Sequence, residues 1–296
     1  MNESAQTERK SPPSGHCLCS GVSYEVHGPI RQVWNCHCWR CRRWTGHFMA
    51  GTGCKRSDLH LVSDATLAWH HPADDPNVAY GFCRECGGSV FWKVMEGPPD
   101  QTDHIAICAG TLDLPTGLHT ERALFTGDAA DYHWLDPSVE AWDREESRPA
   151  AGSETAQPAP ESPPAGHCLC GAVSYAVDGE MLDVWNCHCW RCRRWTGHYL
   201  AAARSLRSDV RFVSGGTLVW HHPADAPNVA YGSCRDCGSS LFWKVSEGSQ
   251  DEVENIFIAA GTLDAPTGLH TEGSVFTDDA ADYHNRDPSI AALSRE

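Results

Sequence analysis

Val33-Trp34-Asn35-Cys36-His37-Cys38-Trp39-Arg40-Cys41-Arg42-Arg43-Trp44-Thr45-Gly46-His47 recurs without change as Val184 to His198. The same offset of 151 residues relates Gly15-His16-Cys17-Leu18-Cys19 to Gly166-His167-Cys168-Leu169-Cys170, and Trp69-His70-His71-Pro72 to Trp220-His221-His222-Pro223. It also relates Asp131-Tyr132-His133 to Asp282-Tyr283-His284. A repeat of this length is a whole domain, not a solenoid unit. The 296 residues, at about 150 per domain, agree with two. We therefore expect a disordered N-terminus over 1–14, a first domain over 15–143, a linker over 144–165 and a second domain over 166–296. The linker is rich in Pro, Ala, Ser and Glu and has no large apolar side chains, so it cannot bury a core and reads as a tether.

Within each copy, strand signals dominate. Val22-Ser23-Tyr24-Glu25-Val26 and Val173-Ser174-Tyr175-Ala176-Val177 alternate with period two. Leu59–Val62, Ser89–Val94 and His104–Ile107 also read as strands, with frequent Gly and Pro punctuation. One short helix is expected near Cys38 to Arg43. The expected class is mainly β: two tandem β-rich domains. The net charge of −16 repels phosphate and anionic lipid, which argues against nucleic-acid and membrane partners. No apolar run approaches the about 18 residues of a transmembrane helix. The N-terminus has no apolar stretch of a secretory signal. The cytoplasm is the expected compartment, where thiols serve as metal ligands or catalysts more often than as disulfides.

Of the 16 cysteines, fourteen are shared, seven per copy; Cys54 and Cys108 face Ser205 and Ala259 in the other copy and read as ordinary small residues. The shared seven fall in three clusters: Cys17-x-Cys19, Cys36-x-Cys38-x-x-Cys41 and Cys83-x-x-Cys86-Gly87, with Cys168, Cys170, Cys187, Cys189, Cys192, Cys234 and Cys237 as their counterparts. Tight turns of this spacing aim two sulfurs at one zinc, and the glycine after Cys86 suits a close backbone approach. Seven thiolates divide into one closed four-cysteine site and one open three-cysteine site. The outer pairs make a structural staple, and the middle cluster grips a metal alone.

These residues resemble the glutathione-dependent formaldehyde-activating enzyme family, which also contains centromere protein V. Its pattern G-x-C-x-C-G-x-V-x-Y, then C-H-C-x-x-C-R, then C-x-x-C-G is met fully by Gly166 to Tyr175, Cys187 to Arg193 and Cys234 to Gly238; the first copy departs at Ser20. The resemblance implies a β-tent-like zinc fold in each copy. It implies structural zinc on Cys17, Cys19, Cys83 and Cys86 and on Cys168, Cys170, Cys234 and Cys237. It also implies a more labile zinc on Cys36, Cys38 and Cys41 and on Cys187, Cys189 and Cys192, with glutathione as the associated thiol. After the last zinc pair the chain leaves the pattern, with Thr-Gly-Leu-His-Thr-Glu at 116–121 and 267–272 and then Asp-Tyr-His.

The expected function is a lyase that makes or breaks a carbon–sulfur bond. A small thiol takes the open metal position, and an aldehyde-type partner reacts with it. Arg42, Arg43 and Trp44, with Arg193, Arg194 and Trp195, are the expected ligand-binding groups. His47, His70, His71, Tyr132 and His133, with His198, His221, His222, Tyr283 and His284, are the expected acid–base groups. Two alternatives keep the metals: a zinc lyase or isomerase acting without glutathione, and a non-catalytic tandem zinc scaffold. The two copies are expected to pair within the chain.

Overall fold

The computed structural model describes residues 11–143 and 163–294. Most of the expected disordered N-terminus and of the linker thus lies outside the described residues. Residues 11–143 form lobe one and 163–294 lobe two. Each lobe begins with a strand, Ser14–His16 or Ala165–His167, on a three-stranded antiparallel sheet with Ser23–Val26 and Leu59–Ser63, or Ser174–Val177 and Val210–Ser214. Tyr24 and Val26 are buried and alternate with the half-buried Ser23 and Glu25, which is the alternation legible in the sequence.

The second sheet of lobe one has eight strands, in the order Glu140–Trp142, Thr120–Leu124, Val33–Cys36, Met49–Lys55, His104–Cys108, Ser89–Val94, Val78–Cys83 and Leu67–His70. Lobe two repeats this order. Val33–Cys36 pairs parallel with Thr120–Leu124 and antiparallel with Met49–Lys55, so the middle cysteine cluster leaves the sheet from a central strand. The expected helix runs Trp39–Thr45 and is repeated as Trp190–Thr196. Gly46 ends it at φ +79, a left-handed cap that costs a glycine little.

The lobes pack through a reciprocal contact. Gly261 N donates to Gly46 O at 2.8 Å, and Gly110 N donates to Gly197 O at 2.7 Å. Each helix cap therefore docks on the tight turn that follows a strand of the other lobe, Ala109–Thr111 or Ala260–Thr262. A Cβ on Gly110 would stand 2.5 Å from the backbone of Gly197 and His198, so only glycine permits this approach.

The motifs that depart from the family pattern form a clasp. Asp282 accepts from Thr116 N at 2.9 Å, Thr116 Oγ1 at 2.8 Å and Gly117 N at 2.7 Å. Asp131 does the same for Thr267 Oγ1 and Gly268 N. Thr120 Oγ1 donates to Tyr283 O and Thr271 Oγ1 to Tyr132 O.

Arg43 has a fully buried side chain and reaches across to lobe two, donating to Thr262 O, to His167 O at 3.4 Å and to Asp264 Oδ1 at 2.5 Å. Arg194 mirrors it on Thr111 O, His16 O and Asp113. Arg193 donates to Gly110 O at 2.7 Å and Leu112 O at 2.9 Å. One contiguous apolar core, with Trp44 and Trp195 at 0% exposure, runs through both lobes. Arg43→Ala should lower the unfolding free energy by about 3 kcal/mol, because it strips donors from buried carbonyls and a carboxylate. A denaturant midpoint like that of the wild type would contradict this.

Candidate metal centres and the cleft beside them

Four groups of thiols converge. Cys17, Cys19, Cys83 and Cys86 form one, and Cys168, Cys170, Cys234 and Cys237 its repeat. Within them, Cys17–Cys19 and Cys19–Cys83 sulfurs lie 3.7 and 3.6 Å apart, and their repeats 3.5 and 3.7 Å. A tetrahedron built on bonds of about 2.3 Å has an edge of about 3.8 Å, so the donor set fits zinc. Gly87 and Gly238 close the knuckles at φ +70 and +71. A Cβ at Gly87 would strike Ser233 and one at Gly238 would strike Phe82, so both knuckles press on the opposite lobe.

The other two groups are trios: Cys36, Cys38 and Cys41, and Cys187, Cys189 and Cys192. Among the described residues no fourth His, Cys, Asp or Glu joins either. Cys36 and Cys38 sulfurs are 3.5 Å apart. Hydrogen bonds from the thiols of Cys187 and Cys192 hold Cys189 down to about 3, well inside the thiolate range, and Cys38 is lowered in the same way by Cys36 and Cys41. One member of each trio is thus poised as an anion for a cation to meet.

The lobe-two trio lines a cleft of about 630 Å³, walled by Trp185, Tyr231 and Trp243 and rimmed by Arg191, Arg204 and Glu272. In lobe one a cleft of about 560 Å³ is lined by Arg31, Trp34, Gly53, Trp92 and Trp142. Arg31 stacks on Trp34 at 4.3 Å, and Arg122 covers Trp34 at 5.2 Å and Trp142 at 4.6 Å. Leu182 and Gly273 stand at the positions of Arg31 and Arg122 in lobe two, so Trp185 has no such cover.

Most of the sequence-derived candidates lie elsewhere. Arg42, Arg43, Arg193, Arg194, Trp44 and Trp195 are buried behind the trios, in the core and the lobe contact. The positive charges of Arg43, Arg193 and Arg194 meet carbonyls of the other lobe, which takes them away from a ligand in the cleft. His47, Tyr132 and His133, with His198, Tyr283 and His284, line up on the contact between lobes. His47 Nδ1 bonds Tyr132 OH at 3.1 Å, and its Nε2 bonds Tyr199 OH of lobe two at 2.9 Å. His198 Nδ1 bonds Tyr283 OH at 2.8 Å, but Phe48 stands where Tyr199 stands in the repeat and offers no hydroxyl in return. His37 stacks with His133, and His188 with His284, completing a layer of six imidazoles.

His70 hydrogen-bonds the Asp236 backbone and faces Cys234 of lobe two; His221 faces Cys83 and Glu85 of lobe one. Both thus sit against the opposite lobe's four-cysteine knuckle, away from their own trio. His71 and His222 are exposed and contact Pro76 O and Pro227 O. Tyr80 and Tyr231 were passed over in the sequence because a tyrosine in an alternating strand reads as core. The Tyr-Gly-x-Cys ending that both copies share was the available signal.

Two thiol knuckles and two thiol trios, each able to hold a metal ion, are carried on a duplicated mainly β scaffold. The glutathione-dependent formaldehyde-activating enzyme family model matches residues 12–128 and 163–279, and the chain belongs to that family. A crystal structure of a Rhodobacter sphaeroides protein is similar to 36% of this chain and 97% of its own length, at 27% identity and a TM-score of 0.29. No curated protein matches the chain. Among the described residues, no helix is long and apolar enough to cross a membrane.

Burial lowers His284 to about 4 and pushes His47, His133 and His198 well down. In the unfolded chain these imidazoles titrate near about 6.5. Below that pH the unfolded state takes up protons that the folded state refuses, so the stability is complete above it and is lost as pH falls toward the folded values. Each such proton is worth about 1.4 kcal/mol per pH unit. At saturating zinc, unfolding titrations between pH 6.5 and 4.5 should show a slope above one proton, reduced in His133→Leu. A slope unaffected by that substitution would remove the imidazole layer as its source.

Proposed function

We propose that the chain is a lyase that joins a small thiol to an aldehyde-type partner, or parts them, at the three-cysteine corner of each lobe. The observation that carries this reading is the position of Cys187, Cys189 and Cys192 on the wall of a cleft large enough for a tripeptide-sized ligand. Membership of the glutathione-dependent formaldehyde-activating enzyme family supports it, with glutathione as the thiol. The four-cysteine groups would hold structural zinc, and the trios a more labile zinc with room for one further ligand. Zinc at the trio supplies the positive charge that keeps an incoming thiol deprotonated at neutral pH.

The chain's own residues do the rest. Trp185 and Trp243 wall the cleft and limit water. Asp225 holds Arg191 at 2.6 Å, and Asp251 holds Arg204 at 3.1 Å, so both guanidiniums are fixed at the rim where a ligand carboxylate would arrive. Lobe one repeats the sulfur trio, but its cleft is lined by Arg31, Trp34, Trp92 and Trp142 and not by those cysteines, so the two lobes take up ligand unequally.

Zinc counting should find four per chain, one for each thiol group. Two should resist a chelator, two should leave readily, and glutathione should slow the loss of the second pair. Cys189→Ser should cost more of the adduct-forming activity than Cys38→Ser. Finding two zincs, both chelator-resistant, would end this reading.

A further inference from the structure

The cleft in lobe two contains a hydroxyl that the reading above leaves without a task. Tyr231 lies on Val229–Cys234 and lines the cleft together with all three cysteines of the trio. It pairs across the sheet with Trp243, which lines the same cleft. Its ring is 2% exposed and packs edge-on against Trp195 at 5.0 Å, which fixes it. Its phenol lies within electrostatic range of Cys187, Cys189 and Cys192 and of Arg191. In lobe one Tyr80 packs on Trp44 at 5.0 Å and pairs across the sheet with Trp92, which lines the lobe-one cleft. Both lobes thus hold a tyrosine at the same place in the sheet, opposite a tryptophan of the cleft.

Four other polar groups of the cleft are already engaged. Arg191 is tied to Asp225, Arg204 to Asp251, Trp185 Nε1 to Glu272 and Asn228 Nδ2 to Glu247 O. The imidazoles lie on the far side of the trio or on the opposite lobe's knuckle. A reaction between sulfur and a carbonyl needs a donor aimed at the oxygen, where charge gathers.

We propose that Tyr231, and Tyr80 in lobe one, are catalytic residues whose O–H donates a hydrogen bond to the carbonyl oxygen of the aldehyde-type partner. This rests on the carbon–sulfur reading. The thiol loses its proton to solvent on binding. Its sulfur pair forms the new carbon–sulfur bond, and the carbonyl π pair moves onto oxygen beneath the tyrosine hydroxyl. A solvent proton then completes the hydroxyl of the adduct. In total one thiol and one aldehyde give one hydroxyalkyl thioether, with no oxidant or reductant. The reverse reaction uses the same hydrogen bond as the adduct's oxygen gives up its proton. The phenol stays protonated throughout, acting only as a hydrogen-bond donor.

The test is Tyr80→Phe combined with Tyr231→Phe in the full chain. It is read by zinc content, by calorimetric affinity for glutathione, and by the rate at which glutathione and isotope-labelled formaldehyde form their adduct above the spontaneous rate. Zinc content and glutathione affinity should match the wild type, while kcat falls about 10²-fold. A variant that keeps its kcat overturns the assignment. So does one that loses zinc or glutathione affinity, because the phenol would then be serving the thiolates. A wild type that binds glutathione yet forms no adduct brings down the carbon–sulfur reading and the tyrosines with it. An active wild type with an equally active variant brings down the tyrosines alone.

Discussion

Arg43 and Arg194 are buried charges whose partners belong to the other lobe. A guanidinium taken out of water is costly unless each face of it meets an acceptor. Here the acceptors are carbonyls of the turn that follows a core strand, together with Asp264 or Asp113. A lobe standing alone would expose that turn and leave the arginine without its carbonyls. Each lobe is therefore incomplete, and the second copy supplies what is missing. The glycine contacts work in the same direction, because Gly110 and Gly261 let backbone meet backbone where any side chain would hold the lobes apart.

This pairing divides the Cys-His-Cys loop between two environments. Cys36, Cys38 and Cys41 gather on one side, as their repeats do at the cleft. His37 turns the other way, into the imidazole layer with His133. The trio is consequently backed by protein, with the imidazole layer and the buried arginines behind it. Burial keeps His37 at about 4 and His188 at about 3, so neither adds positive charge beside the thiolates near neutral pH.

The parts legible in the sequence were those whose chemistry is local. Cys83-x-x-Cys86-Gly87 announces its knuckle because ligand spacing and a left-handed glycine are short-range requirements. Ser89–Val94 announces its strand by its run of apolar and β-branched residues. Arg43 did not announce its role, because its partners Thr262 and Asp264 lie 219 and 221 residues away and no periodicity encodes a contact between copies. The same holds for Asp131 and Asp282, which clasp the Thr-Gly loops of the opposite lobe. The surroundings of His70 are hidden for the same reason: its neighbour Cys234 belongs to the other copy.

The duplicated clefts show which features the scaffold fixes and which it leaves free. Leu182 faces Arg204 across the ladder of lobe two, and at the same two positions lobe one has Arg31 and Gly53, whose backbones bond at 2.9 Å. Each lobe thus brings one guanidinium to this part of the cleft, but from opposite strands. The position is exposed to ligand and free of the lobe contact, so its residues can change without cost to the fold. The trios and their tyrosines show no such exchange. Nor can either lobe be discarded if its own cleft falls idle, because its turn, its glycine and its aspartate still complete the partner. Structural dependence holds both copies in place, and the rim is where their ligand preferences are free to diverge.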